Sequence, residues 1–416
     1  MKTEIIAVGS ELLTPDFQDT NSLFLTERLN SVGLDVAFKT IVGDDEGDLA
    51  RVIRTALGRS RLILLMGGLG PTEDDRTRET LAKVLGARLI FKAAILRHIR
   101  ARFRRRGLDM PATNRKQCYA IEGAEVLANP HGTAPGLWLE RGKNRLAVLP
   151  GPPRELRPMV ENHVLPRLAA LGRGRMVRRT IRLTGIGESL MESLIKPVYA
   201  SVPKAVRVTT LAAPGDLAIT LTYRGPASLS EAQAVIEGLE SALLKALRRW
   251  VYSRNGEGLE AVVGALLKKE GRTVACAESC TGGLVGHRLT AVPGSSAYFL
   301  ESAVVYGNAA KVRRLGVPPA LIDKHGAVSA AVARAMAAGV RSTAGADFGL
   351  AVTGIAGPDG GTARKPVGLV YTALAHAGGV AVRRDIFYGG RAMVRFQASQ
   401  KALDVLRRFL LKADMD

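Results

Sequence analysis

The stretch "RLILLMGGLGPTEDD", Arg61 to Asp75, sets the architecture of the first part of the chain. Leu62 to Met66 is an unbroken apolar run, short and without alternation, which reads as a strand covered on both faces. Two glycines end it, and "DDRTRETLAKVLG" (74–86) then shows a helical period. A strand covered on both sides needs helices on both sides, which is the βαβ rhythm of a parallel sheet. The flanking segments keep that rhythm. "TEIIAVG" (3–9) and "LDVAFKTIVG" (34–43) read as strands, and "DTNSLFLTERLNSVG" (19–33) and "EGDLARVIRTALG" (46–58) as helices. Ligands of such a sheet are expected at the carboxyl ends of its strands.

The chain has 416 residues, enough for two to four domains, and its 47% hydrophobic content fits a soluble α/β protein. Aromatics make up only 5%, so stacking platforms for single-stranded nucleic acid are poorly supplied. No apolar run approaches a membrane span, and "MKTEIIAVGSELL" lacks a signal-peptide core. Cys118, Cys276 and Cys280 are sparse and lack metal-ligand spacing, which points to reduced thiols in the cytoplasm. The formal charge is +21, with arginines clustered in "LRHIRARFRRRG" (96–107) and "GRGRMVRRTIR" (172–182). Such a field attracts polyphosphates and nucleic acid, but without interleaved aromatics the clusters read rather as solvated faces. Nucleic acid is therefore not the expected partner.

Three units are expected: 1–170, 171–254 and 255–416. In the middle unit, "RTIRLTG" and "LAITLTYRG" read as strands and "GESLMESLIKPVYASV" and "SLSEAQAVIEGLESALLKALRRW" as helices, with room for one further strand. That is a small α+β connector without a chemical cluster. The Gly-rich hinge "SRNGEG" (253–258) closes it. The last unit again alternates helix and strand, from "LEAVVGALLKKEG" and "RTVACA" to the closing helix "GRAMVRFQASQKALDVLRRFLLK".

Two loops of the first unit carry chemistry. "GSELLTPDFQDTN" holds Glu11, Asp19 and Asn21, and "GGLGPTEDDRT" holds Gly68, Gly70 and Thr72 ahead of Asp74 and Asp75. Glycines let the backbone approach a phosphate, and paired carboxylates in the first turn of a helix can hold a hard divalent cation. Acids at a helix N-terminus also occur without any function. Asp44, in "VGDD", is either a further candidate or a polar turn acid. The segment is not a P-loop, lacking Gly-Lys-Ser/Thr, nor a dinucleotide fingerprint.

"GSELL…DTN", "GGLGPTEDDRT", "HGTAPG" (131–136) and "LPGPPREL" (149–156), in this order, resemble the amino-terminal half of the CinA family of competence/damage-inducible proteins. The resemblance implies a molybdopterin-binding-like fold and hydrolysis of ADP-ribose to AMP and ribose 5-phosphate with a divalent cation such as Mg or Co. It implies a metal role for Asp74 and Asp75, and substrate contact for Glu11, Asp19, Asn21, Gly68, Gly70 and Thr72.

In the last unit, "AESCTGG" (277–283) follows a strand and opens a helix. Ser279 or Thr281 can simply cap that helix. Such a turn also exposes nucleophiles and offers backbone N–H groups to an oxyanion, although G-x-S-x-G and S-x-x-K are both absent. Cys280 would need a histidine. His287 points along its helix, and His325 reads as a helix C-terminal residue. Ser279 would need a neutral lysine. "VVYGNAAKV" (304–312), at another strand end, delivers Tyr306, Asn308 and Lys311, but a surface lysine is the commoner outcome.

"AESCTGG", "GSSAYF", "VVYGNAAK", "HGAVS", "VTGIAGPDGGT…KPVG" and "FYGGRAMVR" resemble the carboxy-terminal CinA domain. That resemblance implies deamidation of nicotinamide mononucleotide by a Ser/Lys amidohydrolase needing no metal. Ser279 is then nucleophile, Lys311 general base and Tyr306 an assisting group. Thr281, Gly282, Gly283, Asn308 and the loop residues Gly354, Ile355, Ala356 and Gly357 would line the substrate, with backbone donors toward ribose, phosphate or oxyanion. Arg391 and Arg395, a turn apart, can grip the phosphate or form a solvated face. Gly390 stands where the family commonly has an acid, which puts a carboxylate role there in doubt. A homodimer is a family-level implication. The alternative is a molybdopterin-like or nucleic-acid-associated binding protein, linked to competence, with vestigial sites.

Overall fold

The computed structural model describes residues 2–169 and 175–413. The expected boundary at 170/171 and the first residues of the second arginine cluster, 172–174, lie outside the described residues. The chain divides into two compact units, 1–176 with 224–229, and 177–223 with 230–416. No helix among the described residues is long and apolar enough to cross a membrane.

The first unit is built on a six-stranded sheet ordered Val36–Val42, Thr3–Val8, Leu62–Met66, Asn144–Leu149, Gly136–Arg141, Glu125–Leu127. The first four strands run parallel and the last two antiparallel. Leu62–Met66 sits at the centre and is buried on both faces, as its unbroken apolar run requires. Helices Asn21–Ser31 and Pro153–Met159 pack on one face, and Glu46–Arg59 and Thr77–Leu85 on the other. Thr3–Val8 connects to Val36–Val42 on one side while Leu62–Met66 lies on the other. Their carboxyl ends therefore part at the centre of the sheet, which is where such folds place a ligand.

Helix Thr77–Leu85 starts later than its periodicity suggests, so Asp74 and Asp75 lie in the loop before it and not in its first turn. Asp75 accepts hydrogen bonds from the Thr72 N–H (3.0 Å) and hydroxyl, and the Thr77 N–H bonds to Gly68 O (3.1 Å). This local turn competes with helix formation.

The second unit holds two sheets. A four-stranded sheet, Val206–Ala213, Asp216–Gly225, Arg175–Leu183, Val251–Ser253, carries helices Glu188–Tyr199 and Leu229–Leu247. It has two more strands than "RTIRLTG" and "LAITLTYRG" suggest, namely Val206–Ala213 and the three-residue Val251–Ser253. A five-stranded sheet follows in the order Phe299–Val304, Val274–Glu278, Phe348–Gly354, Leu369–His376, Gly379–Ile386. Its first three strands are parallel. Val274–Glu278 lies between two parallel neighbours, so its carboxyl end is again a switch point.

Helix Arg391–Leu410 packs on this sheet and carries one buried acid that orients two arginines. Asp404 accepts from Arg407 (2.9 and 2.7 Å) and Arg408 (2.8 Å), all three buried. Arg407 also reaches Val251 O on the four-stranded sheet (3.4 Å). Removing one member of a buried charge cluster leaves the others desolvated without their counter-ion. Asp404→Ala is expected to lower unfolding free energy by about 3–5 kcal/mol, read from denaturant titration. A loss within the error of the titration would show that the cluster does not stabilise the fold.

Candidate active sites

The turn after Val274–Glu278 is held from inside. Glu278 is fully buried, and its carboxylate accepts from the N–H groups of Gly283 (3.0 Å), Val285 (3.1 Å) and Gly286 (2.8 Å) and from the Ser302 hydroxyl (2.8 Å). Helix Leu284–Thr290 thus begins on a carboxylate, as its dipole favours. Gly282 and Gly283 have φ of 58° and 93°, a left-handed pair that side chains rarely adopt. They turn the chain sharply enough to leave Ser279 at the rim, 9% exposed.

Lys311, on helix Asn308–Leu315, is 1% exposed. Its Nζ lies 3.2 Å from Ser279 Oγ and 2.9 Å from each of the Val305 and Tyr306 carbonyl oxygens. Burial pushes the Lys311 ammonium below the ordinary lysine value. A neutral amine has two N–H donors and one lone pair. The two carbonyls satisfy both donors, and the lone pair is left facing the serine hydroxyl. Neither His287 nor His325 takes part. His325 sits in the last turn of its helix, and its carbonyl accepts from Lys365 (2.6 Å).

The remaining residues of this site form its frame. Arg391 donates to Gly357 O (2.8 Å) and to the Tyr306 hydroxyl (2.8 Å), and Arg395 donates to Thr281 O (2.7 Å). Tyr306 meets Lys311 through its backbone carbonyl, while its side chain is exposed. The Ile355 N–H is committed to Leu369 O (2.9 Å), so this amide does not point at a ligand. Gly354 ends its strand, Ala356 is buried beside it, and Asn308 is an exposed first residue of its helix. The Thr281 hydroxyl is buried without a hydrogen-bond partner.

In the first unit a cavity of about 490 Å³ opens at the switch point. Glu11, Asp19, Asn21, Asp44, Gly68, Gly70, Asp74 and Asp75 all line it. Thr72 does not line it, but holds the Asp75 carboxylate in place. Asn21 donates to Gly151 O (2.6 Å), and its own carbonyl oxygen is buried with no partner, an acceptor left for a ligand. Asp19 accepts from the Ser22 N–H (2.9 Å), and Asp44 from the Ser10 N–H (2.8 Å). Thr72 beside it and its own backbone N–H hold the exposed Asp74 carboxyl below its usual range.

No group of three or more His, Cys, Asp or Glu among the described residues converges as a metal cage. A hard cation held by one or two carboxylates together with substrate phosphate oxygens needs no such cage, and Asp74 and Asp75 on one wall fit that mode. Sequence reading missed Gln117, Thr133 and Glu155, which also line the cavity. Only the motifs "HGTAPG" and "LPGPPREL" pointed toward the last two.

Residues 4–170 match the probable molybdopterin binding domain, 178–253 the damage-inducible protein CinA KH domain, and 256–410 the CinA C-terminal domain. A CinA-like protein of Solibacter usitatus is 45% identical over 409 residues, covering 98% of each chain. One of Koribacter versatilis is 46% identical over 416 residues, covering 99% of this chain and 100% of its own. The chain belongs to the CinA family. Among solved structures, competence/damage inducible protein CihA from Agrobacterium tumefaciens is 39% identical, covering 36% of this chain and 94% of its own, with a TM-score of 0.35. In this CinA-family chain the three matched ranges follow the order in which the two sheets of the second unit succeed the first unit.

The neighbouring thiol behaves unlike a nucleophile. Cys280 is 4% exposed, and burial pushes its thiol up to about 12. Cys118 and Cys276 are also buried, and burial raises both. No thiol is therefore expected to react with a colorimetric disulfide reagent at pH 8 in the native state, and all three should react in denaturant. Rapid native labelling of Cys280 would contradict this picture.

Proposed function

We propose that the C-terminal site is an amidase for nicotinamide mononucleotide, releasing ammonia and nicotinate mononucleotide. What supports this reading is the Lys311 amine, buried, satisfied on two sides by carbonyls, and turned toward Ser279 on the third. Ser279 Oγ attacks the carboxamide carbon as its proton passes to Lys311 Nζ. The carbonyl oxygen carries the negative charge of the tetrahedral intermediate; the N–H groups at the start of helix Leu284–Thr290 are not its donors, because they are bound to Glu278. The tetrahedral intermediate collapses as Lys311 returns the proton to the leaving nitrogen, giving ammonia and an ester on Ser279. Water then enters and gives a proton to Lys311 as its oxygen attacks the ester carbon; the bond to Ser279 Oγ breaks, Lys311 returns the proton to that oxygen, and the acid leaves as the carboxylate with its own proton lost to solvent. Both protonation states of Lys311 find partners in place, because the ammonium's third N–H bonds to Ser279 Oγ. The Arg391 guanidinium, bonded to Gly357 O and the Tyr306 hydroxyl, is the phosphate contact in this reading.

Ammonia release from nicotinamide mononucleotide tests this directly. Ser279→Ala and Lys311→Ala are expected to lose about 10³-fold or more in kcat, while Cys280→Ala stays within about threefold. If Cys280→Ala is dead while Ser279→Ala still turns over, the assignment fails. The base must be neutral, so kcat/KM should rise with pH through the Lys311 value, a limb below the ordinary lysine range. A limb at the ordinary value would remove the argument from burial.

For the first unit we propose hydrolysis of ADP-ribose to AMP and ribose 5-phosphate. Support comes from the convergence of both loops on one cavity and from the unpaired Asn21 carbonyl. A bound divalent cation would neutralise the pyrophosphate charge. The chain's own part is to fix Asp75 through Thr72, to present Asp74 as a carboxylate, and to offer Gly68 and Gly70 without side chains at the floor. Asp74→Asn and chelation are each expected to lower AMP formation by on the order of 10–100-fold, with ammonia release from the other site unchanged. Loss of ammonia release on chelation would contradict the metal-free amidase.

A further inference from the structure

The five-stranded sheet has an opening at the end away from Ser279. Ser279 follows the carboxyl end of strand Val274–Glu278, whereas a cavity of about 480 Å³ lies toward its amino end, beside Arg272 and the start of strand Phe348–Gly354. At about 3.3 Å per residue, the strand holds the two places roughly 20 Å apart. No step of either proposed reaction uses this cavity.

One wall is aromatic. His376 lies against Phe409 with ring centroids 4.4 Å apart, and Phe348 meets Phe409 edge-on at 5.5 Å and 74°. The Gly378 N–H donates to His376 Nδ1 (3.1 Å), so a neutral imidazole carries its proton on Nε2 and keeps a donor there. A row of flat rings with a donor at its end favours a further flat ring.

The remaining lining is charged, and its charges are unequally committed. The Asp347 carboxylate accepts from Arg272 (2.7 Å), the Thr273 N–H (2.9 Å) and the Thr273 hydroxyl (3.0 Å), so Arg272 and Asp347 offset one another. Arg341, on helix Ala330–Ala344, uses only Nε, which donates to Asp347 O (2.9 Å). Its stem is fixed where the helix passes Gly349, since a Cβ there would meet Arg341 Cβ at 2.7 Å. The Nη1–Nη2 edge has no hydrogen bond to a described residue, and its shape matches a carboxylate.

Lys412 lines the same cavity. Its N–H bonds to Phe409 O (3.0 Å) and the Ala413 N–H to Arg408 O (2.9 Å), a helix ending that favours glycine. Lys412 nevertheless occupies it at φ 51°, the one residue with a side chain at positive φ among those described. An ammonium is thus kept where the backbone would prefer no side chain. Glu270 also lines the cavity, without an ion pair among the described residues. Arg341 and Lys412 against Glu270 leave an excess of one positive charge, which suits a mono-anion better than a phosphate dianion.

We propose that this cavity binds a small planar aromatic carboxylate, its charge on the Arg341 fork and Lys412 and its ring against Phe409 and His376.

Calorimetry on the full chain, with 2-naphthoate as the probe, tests this. The probe should bind at least about 10-fold more tightly than 2-naphthalenemethanol, which has the ring without the charge, or acetate, which has the charge without the ring. 2-Naphthyl phosphate should bind more weakly than the carboxylate. Lys412→Gly removes the ammonium at a position that glycine prefers, so Tm should hold while 2-naphthoate affinity falls about 3-fold. Arg341→Ala should lower it by about 10-fold or more. Should Arg341→Ala also lower Tm, the Lys412→Gly result decides. Equal binding of the uncharged ring overturns the proposal, as does an affinity unchanged in Lys412→Gly. Tighter binding of the phosphate overturns the choice of a carboxylate.

Discussion

The Glu278 carboxylate organises the C-terminal site. A buried carboxylate costs several kcal/mol unless hydrogen bonds replace its water, and here three backbone N–H groups and one hydroxyl do so. The three N–H groups belong to the turn and to the start of the following helix, so satisfying the charge fixes the path that carries Ser279. The hydroxyl is that of Ser302, on the adjacent strand Phe299–Val304. The end of that same strand supplies the Val305 and Tyr306 carbonyls that bind Lys311. One charge therefore sets Ser279 and Lys311 in a common frame. The closeness of that frame also explains Gly286, where a Cβ would press on the Ser302 side chain.

The two candidate sites use one topological position for opposite electrostatics. Both lie where parallel strands part, beside glycine turns. In the first, carboxylates face an open cavity, where a cation can share them with phosphate. In the second, a single amine is buried, and the loss of water lowers its pKa from the ordinary lysine value. The first arrangement favours binding a polyanion through a third partner. The second brings one amine within 3.2 Å of one hydroxyl.

Much of this was legible in the sequence because it depends on local pattern. Leu62–Met66 could only be a doubly covered strand, and the glycine pairs at 67–68 and 282–283 could only end strands in tight turns. Long-range partners were not legible. Lys311 lies 32 residues from Ser279, and only the resemblance joined them before the fold did so. Glu278 looked like one polar residue in a crowd, because its partners include backbone N–H groups that leave no mark in composition. Asp74 and Asp75 were misplaced by one turn for a related reason, since helical periodicity continues through them while the Thr72 hydroxyl draws the chain into a separate turn. The edge strand Val206–Ala213 was not located, although room was left for one further strand, because its side chains alternate only weakly and are exposed toward its end.

The arginine content takes on a different meaning once the partners are known. A net charge of +21 suggests a surface prepared for a polyanion. Several of these arginines instead bond to backbone carbonyls at places where the chain must hold a loop: Arg102 at Pro130 and His131, Arg391 at Gly357, Arg395 at Thr281, Arg341 at Asp347. A guanidinium suits this task because its fork of donors can hold two acceptors at once and stays charged in partly buried positions. Lysine would offer one point of contact, and burial would disfavour its charged state. The first three of these clamps hold loops beside the two candidate sites, while Arg341 ties down Asp347 at the start of strand Phe348–Gly354, so part of the charge is structural reinforcement. The field that results also favours anionic substrates, and the two roles need no separate residues.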